Sequence, residues 1–183
     1  MTKKLIVVLV LIIIAGMAMI GYGLSQRKEA SVSSAGGTGA AGTSLEQKYV
    51  RYDEGQGGVQ VTAVLLTPEY IRLTGMKLPG NYDLQKSILQ KSILFEIAMT
   101  THMGDLREYP IAEKAELLVN GKVIKPADWK LTADDGHHPV GLLIFSPKNA
   151  QGTPVLKSNT VIELNLKELQ GVSERKFTWS LPL

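Results

Sequence analysis

The chain has 183 residues, 44% hydrophobic and 20% charged, which suits one folded domain with additions. Its formal charge of +3 comes from the basic residues around the first apolar run (Lys3, Lys4, Arg27 and Lys28); beyond Glu29 the numbers of basic and acidic residues are equal. A neutral body lacks a broad phosphate-binding field, and a chain without cysteine excludes disulfides, thiolate metal sites and thiol nucleophiles.

Leu5 to Leu24 is an uncharged, mostly apolar stretch. As a helix it spans about 30 Å, one hydrocarbon core. Tyr22 lies near one end, where interfacial aromatics concentrate. A cleaved signal peptide is the competing reading, but Met17, Met19, Ile20 and Leu24 prolong the run and no A-x-A site directly follows. Residues 1–29 are therefore expected to be an uncleaved signal anchor, a single transmembrane helix with its N-terminus in the cytoplasm. Residues 30–44, ASVSSAGGTGAAGTS, carry no charge and no aromatic ring. They read as a flexible spacer, because they bury too little surface to offset their ordering entropy. The remainder, 45–183, is expected to be an extracytoplasmic domain on the outer side of the cell membrane.

Beyond Leu45 the apolar period changes to two. Val59 to Leu66 is rich in β-branched residues and stops before Pro68. A short helix is expected at Pro68 to Thr74. Leu84 to Ile88 is repeated at once as Leu89 to Ile93. An odd-numbered insertion inside a strand would invert every following side chain, so the first copy is expected in a loop or helical turn. Ile93 to Met99 and Gly141 to Phe145 read as strands buried on both faces. A second short helix is expected near Ile111 to Ala115. Asn120-Gly121 separates two apolar runs and is a strong hairpin signal. Ile162 to Lys167 and Lys176 to Leu181 alternate apolar with polar residues, joined through Gln170-Gly171-Val172-Ser173. At least seven short strands with turn residues between them predict an all-β fold, an antiparallel immunoglobulin-like β-sandwich. Trp129, Trp179 and Met99 are expected to pack in the core or on a sheet.

The three histidines fall in two short segments. His102 leaves one strand in Thr101-His102-Met103-Gly104-Asp105. His137 and His138 precede another in Asp134-Asp135-Gly136-His137-His138-Pro139. Antiparallel neighbours would place both segments on one rim. Imidazole suits copper or zinc, a thioether favours Cu(I), and carboxylates suit harder ions. The candidate metal ligands are His102, Met103, Asp105, His137 and His138, with Asp134 and Asp135 as further acids. Structural histidines and partner contact are the competing readings, since no H-x-H or H-E-x-x-H spacing is present. Asp134-Asp135 also suits a solvated turn. There is no G-x-S-x-G elbow for a hydrolase. Gly55-Gln56-Gly57-Gly58 lacks the Gly-Lys-Ser/Thr of a phosphate cradle.

From Phe95 to Phe145 the chain runs strand, Thr-His-x-Gly-Asp-Leu, Asn-Gly hairpin, Trp129, Gly136-His137-His138 and Gly141-Leu142-Leu143-Ile144-Phe145. This pattern resembles uncharacterised bacterial exported domains with an immunoglobulin-like sandwich behind an N-terminal membrane anchor. The resemblance implies export and the sandwich, and it assigns no activity to the histidines. The expected function is a membrane-tethered, non-enzymatic binding domain whose rim holds a transition-metal ion, copper or zinc. The alternative is an interaction module for another envelope protein, without an ion; no nucleic-acid partner is expected.

Overall fold

The computed structural model describes residues 45–78, 91–157 and 159–182. The expected anchor, the spacer and the first pentad copy lie outside the described residues. Among the described residues no helix is long and apolar enough to cross a membrane.

After a helical lead-in at 45–49, nine strands follow: β1 (Val50–Asp53), β2 (Val59–Leu66), β3 (Ile93–Thr101), β4 (Ala115–Val119), β5 (Lys122–Ile124), β6 (Asp128–Ala133), β7 (Val140–Phe145), β8 (Val161–Leu169) and β9 (Val172–Ser180). Among the described residues two α-helices lie between strands, α1 (Pro68–Thr74) and α2 (Ile111–Lys114). Helix α1 starts where Thr67 accepts the Tyr70 N–H at 3.1 Å and Pro68 supplies a preset φ; it stops at Gly75, whose φ is 66°. Sheet A has the order β1-β2-β3-β7-β6 and sheet B the order β5-β4-β8-β9, antiparallel throughout. Both short hairpins turn through two residues at positive φ, Asn120-Gly121 (51° and 75°) and Gln170-Gly171 (49° and 74°). This geometry matches the right-handed twist of the flanking strands. Val172 and Ser173 thus belong to β9 and not to its turn.

The period-two pattern sets the layers. Val61, Ala63, Phe95, Ile97 and Phe145 of sheet A share one core with Leu117, Leu164, Phe177 and Trp179 of sheet B. The rings of Phe95 and Trp179 lie 5.1 Å apart, and Phe95 meets Phe145 edge-on at 5.8 Å. These contacts define a β-sandwich. The opposite face of sheet A is also covered. Val64, Leu66, Leu94, Leu142 and Ile144 pack beneath Tyr49, Tyr70, Ile71 and Leu78. Strands β3 and β7 are therefore buried on both sides, which accounts for their near-continuous apolar runs.

Polar ties close the border between β1 and β9. The Trp179 indole donates to the Tyr49 carbonyl at 2.9 Å, and Arg51 donates to the Thr178 carbonyl at 2.7 Å. Arg175 takes an inward position beside Phe177 and Trp179, and its side chain is 0% exposed. It pairs with Asp53 at 2.8 Å and donates to the carbonyls of Val59 and Gln56. One cation thus ties sheet B to the β1–β2 connection of sheet A. That connection must pass close by, since a Cβ on Gly57 would stand 2.5 Å from the Gln170 carbonyl oxygen. Removing one partner of a buried pair leaves the other charge uncompensated. Arg175→Met is expected to destabilise the fold by about 3–5 kcal/mol, measured by denaturant unfolding; a loss below about 1 kcal/mol would remove Arg175 from this role.

Glu96 lies on the covered face of β3, opposite Val64 on β2 and Leu142 on β7. No hydrogen-bond partner for its carboxyl is found among the described residues. Burial pushes its pKa from 4.5 up to about 7. The folded state therefore holds a proton that the unfolded chain releases at lower pH. The Glu96 contribution to stability is fully present below pH 4.5 and is lost as pH rises through about 7. Glu96→Gln is expected to match the native chain in acid and to exceed it by about 2–3 kcal/mol well above neutrality, read from Tm against pH.

Candidate functional site

The rim inferred from the sequence exists. Register places β3 beside β7 from Ile93↔Phe145 to Ala98↔Val140. The pairing continues past the strand of β7, with Met99 N–H on the Pro139 carbonyl and Thr101 N–H on the His137 carbonyl, both at 3.0 Å. Further out, Leu106 N–H donates to the Gly136 carbonyl at 2.9 Å. The segment after β3 and the segment before β7 therefore meet along their backbones.

Local side chains then set each loop. Thr101 is buried, and its hydroxyl accepts the Met103 N–H at 3.1 Å. Its single proton is shared between the carbonyls of Gly58 at 3.0 Å and Met103 at 2.8 Å. Asp134 accepts the Gly136 N–H at 2.7 Å. Asp135 accepts the N–H groups of His137 at 3.0 Å and His138 at 2.7 Å. This is an Asx-type turn, in which a carboxylate replaces a backbone acceptor. Gly136, at φ 87°, lies against the Arg107 guanidinium.

The electrostatics follow from these bonds. Hydrogen bonds from Arg107 hold the Asp105 carboxyl down at about 2. Burial opposes ionisation of Asp135, but the backbone N–H groups of His138 and His137 outweigh it, and its pKa is lowered. Both acids are therefore fixed as anions over the physiological range, each already engaged by its own loop.

The five expected ligands share the rim but do not face one point. His102, Asp105 and His137 are exposed, and Met103 is 77% exposed. His138 is half-buried, with Nδ1 3.3 Å from the Thr100 hydroxyl. The His137 and His138 rings stand 6.5 Å apart at 63°. One ion needs donor atoms about 2 Å from it, converging on a single point. Among the described residues, no group of three or more His, Asp or Glu side chains is placed to hold an ion. Asp105 is turned to Arg107, which donates to both of its carboxylate oxygens.

A second concave surface went unseen in the sequence. A shallow open groove lies over the β1 and β9 edge, walled by Tyr52, Asp53, Glu54, Gln56, Glu174 and Lys176. Arg175 forms its floor but spends its donors on Asp53 and two carbonyls, and Lys176 is paired with Glu174 at 3.0 Å. Glu54 has no ion-pair partner among the described residues, so the groove keeps one uncompensated carboxylate.

No family model matches this chain, and no curated protein sequence matches it. Among solved structures it is similar to a DUF4426 family protein from Pseudomonas aeruginosa PAO1, at 12% identity and a TM-score of 0.31, over 72% of this chain and 91% of that one.

The rim owes its shape to Asp135. Asp135→Ala releases two backbone N–H groups at once and is expected to cost about 1–3 kcal/mol. Amide exchange at His137 and His138 should accelerate while the β2 and β3 amides keep their protection; unchanged exchange at both histidines would contradict this role.

Proposed function

We propose that this chain is a single-pass, membrane-tethered interaction module. Its immunoglobulin-like sandwich stands outside the membrane on the small-residue spacer and contacts another envelope protein without catalysing a reaction. The carrying observation is the state of the rim. Two loops are pinned by their own hydrogen bonds, yet they hold the Met103 side chain out into solvent. A pre-ordered loop gives up little entropy on docking. A flexible thioether adapts to varied apolar surfaces. The anchor and spacer read from residues 1–44 support the tether, and the covered outer face of sheet A leaves the rim as a prominent loop surface.

The reading is tested on the full chain in its own membrane. A photo-reactive residue replacing Met103 is expected to cross-link to a second protein, and the adduct should persist in chelator. A cysteine introduced at exposed Gln151, in a chain otherwise free of thiols, should react with an impermeant maleimide on intact cells. Labelling only after lysis would refute the topology. Adducts with lipid alone, or with this chain alone, would refute the partner, and an adduct lost in chelator would return the rim to an ion-dependent role.

A further inference from the structure

The free edge of sheet A carries its own recognition code. Hydrogen bonds from Met99 to Pro139 and from Thr101 to His137 mark the odd-numbered residues of β3 and β7 as bonded to each other. Pairs in an antiparallel ladder alternate. The even-numbered residues of β7, Leu142 and Ile144, therefore direct their backbone groups toward Lys130 and Asp128 of β6. Trp129 and Leu131 are left with backbone groups directed outward, away from β7. In agreement, the Trp129 N–H is taken by the Asp128 side chain at 2.9 Å.

Other edges are less available. Strand β5 has three residues. Strands β1 and β9 are tied to one another through Arg51 and Thr178. Strand β6 has six residues, regular from Asp128 to Leu131 before a bulge between Leu131 and Ala133, with Asp128 53%, Lys130 54% and Leu131 51% exposed. It also packs closely on its neighbour β7. The Trp129 indole lies so close on Gly141 that a Cβ there would stand 2.5 Å from the ring.

We propose that β6 pairs antiparallel with β6 of a second copy across a two-fold axis at Trp129, joining two A sheets into one. Such an axis requires a self-complementary edge. With Trp129 opposite Trp129, each Asp128 faces Lys130 of the other copy, twice. These fall at non-hydrogen-bonded positions, where facing side chains approach most closely. The neighbouring even registers fail on charge. Centring on Lys130 sets two lysines opposite each other, and centring on Asp128 sets two aspartates opposite each other. In the chosen register the Trp129 N–H passes from Asp128 to the Trp129 carbonyl of the second copy. Asp128, 3.9 Å from its own Lys130, then exchanges that loose pair for the facing Lys130 of the second copy.

The test uses the full chain in detergent or nanodiscs, with dimer fraction read by sedimentation. Native protein should dimerise. Lys130→Asp should weaken dimerisation about tenfold by placing acids opposite acids, and Asp128→Lys with Lys130→Asp should restore it. Mixed Asp128→Cys and Lys130→Cys proteins should form a disulfide heterodimer on mild oxidation, faster than Lys130→Cys alone. Far-ultraviolet circular dichroism confirms that each variant is folded. A native chain that stays monomeric at high micromolar concentration overturns the proposal. So does a folded Lys130→Asp variant that dimerises as the native chain does, because a dimer held elsewhere ignores the swap, and so does a folded double variant that remains monomeric. None of these outcomes bears on the envelope partner at the rim.

Discussion

The double burial of sheet A, with β3 at its centre, is the constraint on which the rest of the fold depends. Phe95 and Ile97 face sheet B, while Leu94 faces the helical lead-in and α1. A strand covered on both sides is fixed in register, because a one-residue slip would exchange its two apolar sets and carry Glu96 into the inter-sheet core. That register runs on through Met99 and Thr101 to Pro139 and His137. The rim loops therefore inherit their alignment from the core.

At the border between β1 and β9 the layers are joined by groups that a purely apolar sandwich would avoid. Arg175 replaces packing with one ion pair and two carbonyl contacts, and its Nε has no partner among the described residues. A buried pair of this kind adds little net stability over a well-packed apolar pair, whereas removing one partner alone is costly. Here the pair specifies how the β1–β2 connection crosses the end of β9. The aromatic layer of Phe95, Phe145 and Trp179 supplies the burial, and Arg175 selects among the ways of achieving it.

Most of the fold was legible because burial writes a period. Strands β2, β3, β7, β8 and β9, both helices and both hairpin turns follow from apolar alternation and turn residues. Strands β1 and β6 did not, because they bury too few side chains to leave a pattern: Asp128, Lys130 and Leu131 are all exposed. Arg175 was missed for a related reason. It continues the inward phase of Phe177 and Trp179, but a cation in that phase reads as the end of a strand. The shared rim was legible from strand order. The direction of its side chains was not, since it depends on which N–H groups Asp135 and Thr101 capture.

The outer face of sheet B has a consequence for how the molecule meets others. Glu116 is clasped by Lys125 at 2.9 Å and Lys167 at 2.7 Å, while Lys176 lies between Glu174 at 3.0 Å and Glu163 at 3.8 Å. Three acids and three bases cancel well within a Debye length of about 8 Å, so this face projects almost no field into solvent. Approaching molecules are neither drawn to it nor repelled. Collisions there proceed at the unassisted rate, nearly indifferent to ionic strength, and long-range discrimination between visitors is left to other surfaces.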